Sequence, residues 1–100
     1  MGEMRFVLVD PSGLHARPAA RFVQTASRFR SAVTIIHGPR EANAKSLLSL
    51  LGLALREGNE ITLRAEGDDA AAALTALTTE LAPFVKRIPA TARQIIGGVS

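Results

Sequence analysis

The chain contains no cysteine, no tryptophan and no tyrosine. Without cysteine there can be no disulfide framework, no thiolate zinc site and no cysteine nucleophile. That composition also suits a reducing compartment. Four phenylalanines are the only aromatic residues. An RNA-binding sheet needs exposed aromatics on which bases stack. Phe6, Phe22 and Phe29 instead fit buried faces, so a nucleic-acid partner is not expected. Long apolar runs are also missing. The strongest, LLSLLGLAL at residues 47–55, is far short of the roughly 20 residues that span a bilayer. Residues 1–10 lack a basic start, an apolar stretch and a small-residue cleavage site, so no signal peptide is read there. The expectation is a soluble, cytoplasmic protein with no membrane insertion. No nucleotide loop, metal-ligand cluster or second catalytic base is visible, so no metal, no cofactor and no complete enzyme is expected.

What is present fits one small domain of 100 residues, with 47% hydrophobic and 21% charged residues. Those proportions exclude general disorder. The net charge is only +3, but it is unevenly placed. No acid occurs between Asp10 and Glu41, where Arg17, Arg21, Arg28, Arg30 and Arg40 lie. A basic face of this kind attracts phosphate or an acidic protein surface.

Residues 4–9 (MRFVLV) read as a strand ended by the turn-prone Asp10-Pro11-Ser12-Gly13. A helix follows over residues 16–29, with Ala19, Phe22, Val23, Ala26 and Phe29 on one face. Pro18 sits in its first turn, where a missing N–H is tolerated. Residues 32–37 and 40–44 read as a hairpin turning at Gly38-Pro39. Residues 46–55 read as a short apolar helix capped by Ser46. Residues 61–66 alternate as a half-buried strand. The last helix opens at Gly67-Asp68-Asp69, with an aspartate as cap and Ala70, Ala73, Leu74, Leu77 and Leu81 as its buried stripe. The order β-α-β-β-α-β-α predicts an α+β two-layer open-faced sandwich: a four-stranded antiparallel sheet with three helices on one face.

The segment Ser12–Ala20, SGLHARPAA, carries the chemistry. It sets His15 at the mouth of a helix, two residues before Arg17. A helix N-terminus offers unpaired N–H groups and a partial positive charge, and both stabilise a phosphate. The same field disfavours a positive ring and leaves the neutral nitrogen that attack on phosphorus requires. Arg17 can grip phosphate oxygens with its planar fork. Gly13 permits the turn that aims the imidazole outward. A histidine phosphate is a labile phosphoramidate, so such a site passes phosphate on. The plainer alternative is that His15 only caps the helix.

The string SGLHARPAARFVQTASRF, continued by ANAKSLLSLLGLALREGNEITLRAEGDDAAAALTALTTEL, resembles HPr. HPr is the histidine-containing phosphocarrier family of the bacterial phosphoenolpyruvate-dependent sugar phosphotransferase system. The likeness runs from Glu3 to Leu81 without a large gap. It implies that His15 is phosphorylated on Nδ1, that Arg17 neutralises the phosphate, and that enzyme I is the donor and an enzyme IIA domain the acceptor. It also implies the fold just derived. In the family the surface near the second helix docks partners, which assigns Ala20, Leu47, Leu48 and Leu51 to docking. Core packing is the alternative for the leucines. Lys45-Ser46 is similar to members regulated by a serine kinase/phosphorylase, so Ser46 is a candidate phosphoserine. Ser49 stands where many members have glycine, and Leu48 and Leu51 replace common methionines. Leucine is the less adaptable side chain, which favours narrower partner choice. His37 reads as an ordinary surface histidine.

The resemblance implies a domain over residues 1–82 and a linker or tail over 83–100. The ending RQIIGGVS is similar to the opening strand of enzyme I, as in an HPr–enzyme I fusion. As an isolated domain a monomer is expected, since a carrier must release each partner. The competing function is a regulatory binding paralogue that acts on transcription regulators or enzymes without phosphate transfer. Retention of His15 speaks against it.

Overall fold

The computed structural model describes residues 2–89. Its elements are β1 (Gly2–Leu8), α1 (Ala16–Ala26), β2 (Ala32–His37), β3 (Arg40–Asn43), α2 (Leu47–Gly52), β4 (Glu60–Glu66), α3 (Ala70–Leu81) and β5 (Val85–Ile88). Alternation in β4 puts Ile61, Leu63 and Ala65 on one side, and all three are buried. β4 is central in an antiparallel sheet of order β3-β2-β4-β1-β5. Its register sets Phe6 opposite Ile61 and Ile35 opposite Leu63. The buried face of the sheet thus becomes continuous across strands. Ala19, Phe22 and Ala26 of α1, Leu50 of α2, and Ala73, Leu77 and Leu81 of α3 close over it in one core. Burying one side of the sheet under three helices is the expected α+β arrangement.

The strand count differs from the expected four. Residues 85–88, read from sequence as part of a linker or tail, pair with β1, Leu8 facing Val85 and Arg5 facing Ile88. The signal is faint because the strand is short and flanked by Pro83 and Pro89. Only Val85 packs against the core, while Lys86 and Arg87 are exposed. Charged side chains on an edge strand discourage further strand pairing. The QIIGGV string lies outside the described residues.

Helix ends also differ from the periodicity. α1 stops at Ala26, short of Phe29, because the next turn tightens. The N–H groups of Arg28 and Phe29 bond to Thr25 and Ala26 carbonyls, three residues back, at 3.1 and 3.2 Å. Lys45 Nζ then takes the Phe29 carbonyl at 2.7 Å. α2 ends at Gly52, and Ala54 follows at φ 51°. Leu53 and Leu55 are buried in the core from this loop.

Asp69 stands at the N-cap position of α3, yet its side chain makes no capping bond there. Its carboxylate accepts from the Arg30 and Ser31 N–H groups, each at 2.9 Å, and from the Ser31 hydroxyl. It thereby ties the entry of β2 to the start of α3. These bonds, the Ser31 hydroxyl's above all, lower its pKa from 3.8 to about 2. A depressed carboxyl contributes stability that is complete above its ordinary pKa and lost as pH falls through the folded value. Asp69→Asn should therefore lower the melting temperature at pH 7 and flatten its dependence on pH between about 4 and 2. Thermal melts at pH 7, 4 and 2.5 measure both, and an unchanged acid slope would dismiss this clamp.

Candidate functional site

The loop before α1 is built by backbone bonding. The Gly13 N–H donates to the Asp10 carbonyl at 2.9 Å, and the Ser12 N–H to Asp10 Oδ2 at 2.9 Å. The Leu14 N–H reaches across to the Leu55 carbonyl at 3.3 Å, and its side chain is buried. Gly13 turns the chain at φ 63°. With Leu14 pinned inward, the next residue is thrown outward.

That residue is His15, exposed at the N-cap of α1 with extended backbone, φ −83° and ψ −178°. Its carbonyl accepts the Ala19 N–H at 3.0 Å, but its imidazole makes no capping hydrogen bond. The reading of His15 as a side-chain cap is thereby set aside. Ala16 and Arg17 open the helix with N–H groups that have no carbonyl one turn behind them. Pro18, third in the helix, has none to satisfy.

Arg17 is exposed beside His15, and the two line one cleft of about 460 Å³. Pro18 and Arg21 complete the α1 side. The opposite wall is Thr79 and Glu80 of α3 with Pro83 and Phe84 of the turn into β5. The Phe84 carbonyl accepts N–H bonds from Val9 at 2.9 Å and Asp10 at 3.2 Å. The turn is thus fastened to the strand end that leads into the His15 loop. Sequence reading named Arg21 only as part of a basic stretch and missed the far wall altogether. No spacing signal could reveal it, because some 60 residues of chain separate it from His15.

Ser46 caps α2, its hydroxyl accepting the Ser49 N–H at 3.2 Å. Within α2, Leu50 is 2% exposed and belongs to the core, while Leu48 is 84% exposed. Of the three leucines assigned to docking, Leu48 stands clear of the core, while Leu47 at 36% and Leu51 at 37% are only partly exposed beside it. Ala20 is half-buried on α1, against which α2 packs. His37 is half-buried at the end of β2, opposite Arg40, and does not line the His15 cleft. Among the described residues no cluster of three or more potential metal ligands occurs, and no helix is long and apolar enough to cross a membrane.

A family model described as the PTS HPr component phosphorylation site matches residues 3–82. The chain is 43% identical over 81 residues to the phosphocarrier protein HPr of Lysinibacillus sphaericus, covering 81% of this chain and 92% of that protein. It is 51% identical over 72 residues to the multiphosphoryl transfer protein of Xanthomonas campestris pv. campestris, covering 72% of this chain but 9% of that protein. Among solved structures, a Mycoplasma histidine-containing phosphocarrier protein aligns with a TM-score of 0.79 at 36% identity, over 80% of this chain and 91% of that one. Family model, sequence relatives and fold agree over the same stretch, and the chain belongs to the HPr family of phosphotransferase-system phosphocarriers.

Proposed function

We propose that His15 is the phosphate acceptor of this chain, taking a phosphoryl group from enzyme I and passing it to an enzyme IIA domain. The observation that carries this is an exposed imidazole, uncommitted to capping, at a helix N-terminus with Arg17 in the same cleft. A neutral ring nitrogen of His15 attacks phosphorus in line with the donor's bond. The new P–N bond forms as the bond from phosphorus to the donor breaks. The electron pair leaves with the donor, which takes up a proton, and the His15 ring sheds the proton on its other nitrogen. The family assigns the attack to Nδ1. The dianionic phosphoryl group then sits against the Ala16 and Arg17 N–H groups and the Arg17 guanidinium. Transfer onward reverses these steps toward the acceptor. The test is intact mass after incubation with phosphoenolpyruvate, magnesium and enzyme I. One acid-labile phosphoryl group that depends on His15 supports the reading. No uptake from an active donor leaves the regulatory, non-transferring role.

Ala20, Leu47, Leu48 and Leu51 would receive these partners, and Ser46 would be the regulatory position for a serine kinase/phosphorylase. Aspartate caps helices about as well as serine, so Ser46→Asp should fold normally. Its charge beside Leu47 should weaken docking to enzyme I about tenfold, a cost of about 1.4 kcal/mol. Titration calorimetry against enzyme I measures this, and unchanged affinity would remove Ser46 from the docking surface.

The setting we propose is the cytoplasm, with the isolated domain a monomer. The match to a far longer multiphosphoryl transfer protein supports the reading that such a unit can serve within one chain beside its donor. There the linker would raise the effective concentration of donor and acceptor. In that arrangement the connector begins beyond Ile88, since β5 is part of the sheet.

A further inference from the structure

The basic wall of the His15 cleft has a second cation, and it is coupled to an anchored carboxylate. Arg21 lies one helical turn after Arg17 and lines the same cleft. Glu80 reaches it from α3, its Oε2 3.9 Å from Arg21 Nε. The other carboxylate oxygen, Oε1, accepts the Thr25 hydroxyl at 3.0 Å. Thr25 is buried at 6% exposure. The Glu80 side chain is 28% exposed and Arg21's is 72%. One end of the bridge is therefore fixed in the helix interface. The other is a loose contact that a competing anion can displace.

Charge accounting gives this arrangement a role. With a neutral His15 ring, Arg17, Arg21 and Glu80 give the cleft one net positive charge. A phosphoryl group adds roughly two negative charges near neutral pH. Arg17 offsets one of them. Arg21 can offset the other only by turning from Glu80, whose own charge then faces the phosphate.

We infer that Arg21 is a second phosphate-facing cation, and that Glu80, held by Thr25, is a positioning residue that competes for it and keeps the phosphoryl group transferable. The inference rests on His15 being the phosphate acceptor. It makes opposite predictions for the two partners of one bridge. Arg21→Gln removes the attraction and should lower the equilibrium phosphorylated fraction, measured as the transfer constant with enzyme I, about two- to fivefold. Glu80→Gln removes the competitor and should raise that constant by a similar factor. That range is what an exposed charge pair supports. Arg21→Lys keeps the charge and should restore most of the loss.

The experiment measures phosphoryl exchange between enzyme I and the chain carrying Arg21→Gln, Glu80→Gln or Arg21→Lys, at low and high salt. The lifetime of the phosphorylated form is followed by ³¹P NMR. In that decay water attacks phosphorus, the P–N bond breaks, the ring recovers its proton and inorganic phosphate forms. Opposite shifts that shrink at high salt support the inference. A role confined to helix packing would move both variants in the same direction together with the melting temperature, and that result overturns it. Transfer constants and lifetimes equal to wild type overturn it as well, with the His15 reading intact. A wild-type chain that accepts no phosphate brings down both.

Discussion

His15→Ala should accept no phosphate while keeping its fold. The imidazole is exposed and makes no capping bond, so little native structure depends on it. Surface changes away from special features usually stay within about 0.5 kcal/mol. The bond to phosphorus proposed for His15 would have no substitute in the cleft, because Arg17, Arg21, Thr79 and Glu80 supply no comparable nucleophile near neutral pH. Uptake should fall to background, with the melting temperature within a degree or two of wild type. Arg17→Ala is the graded counterpart. It leaves the nucleophile and removes charge-assisted bonds of about 1.5–3 kcal/mol, so transfer should slow about 10- to 100-fold. Intact mass and a quenched-flow time course separate the two variants. Stable labelling of His15→Ala, at His37 for example, would move the site elsewhere.

Gly13→Ala should be strongly damaging for a single added methyl. At φ 63° an L side chain costs about 1–2 kcal/mol from local sterics alone. The added Cβ would also collide with the Leu55 carbonyl oxygen and lie 2.8 Å from Arg56 Cα. Both obstacles are backbone and cannot swing aside. Relief requires separating the loops joined by the Leu14-to-Leu55 hydrogen bond, which is what aims His15 outward. A loss of about 2–4 kcal/mol is expected, with slower phosphoryl transfer in the protein that remains folded. Gly38 is the internal control. It has nearly the same φ, 59°, but nothing within 4 Å of the position a Cβ would occupy. Gly38→Ala should cost only the local backbone strain, about 1–2 kcal/mol, without the added collision. Urea denaturation of both variants tests the difference. Equal costs would show that the crowding at Leu55 and Arg56 is relieved without penalty.

Where the local pattern and the tertiary structure agree, the pattern is one that burial imposes. Alternation in residues 61–66 and the stripe through Ala19, Phe22 and Ala26 are written in sequence because a buried face must be apolar. The GLHARPA string is legible for a different reason: its chemistry is local, and a histidine at a helix mouth followed by arginine needs no distant partner to be seen. Asp69 shows the limit. Its place before α3 reads as a cap, yet its bonds run to Arg30 and Ser31, about 40 residues away in sequence. β5 shows another, since an edge strand with one core contact leaves almost no hydrophobic period.

The sequence by itself therefore determined the elements with a buried face and the α+β class, and through a compact motif it named His15 and Arg17 as the candidate site. Only the tertiary structure decided that Val85–Ile88 completes the sheet along β1, and that Thr79, Glu80, Pro83 and Phe84 wall the cleft opposite His15. It also decided that Glu80 bridges Thr25 and Arg21. Local motifs and periodicities record what neighbouring residues and burial demand, whereas a cleft wall arises from contacts between distant segments that leave no period in either one.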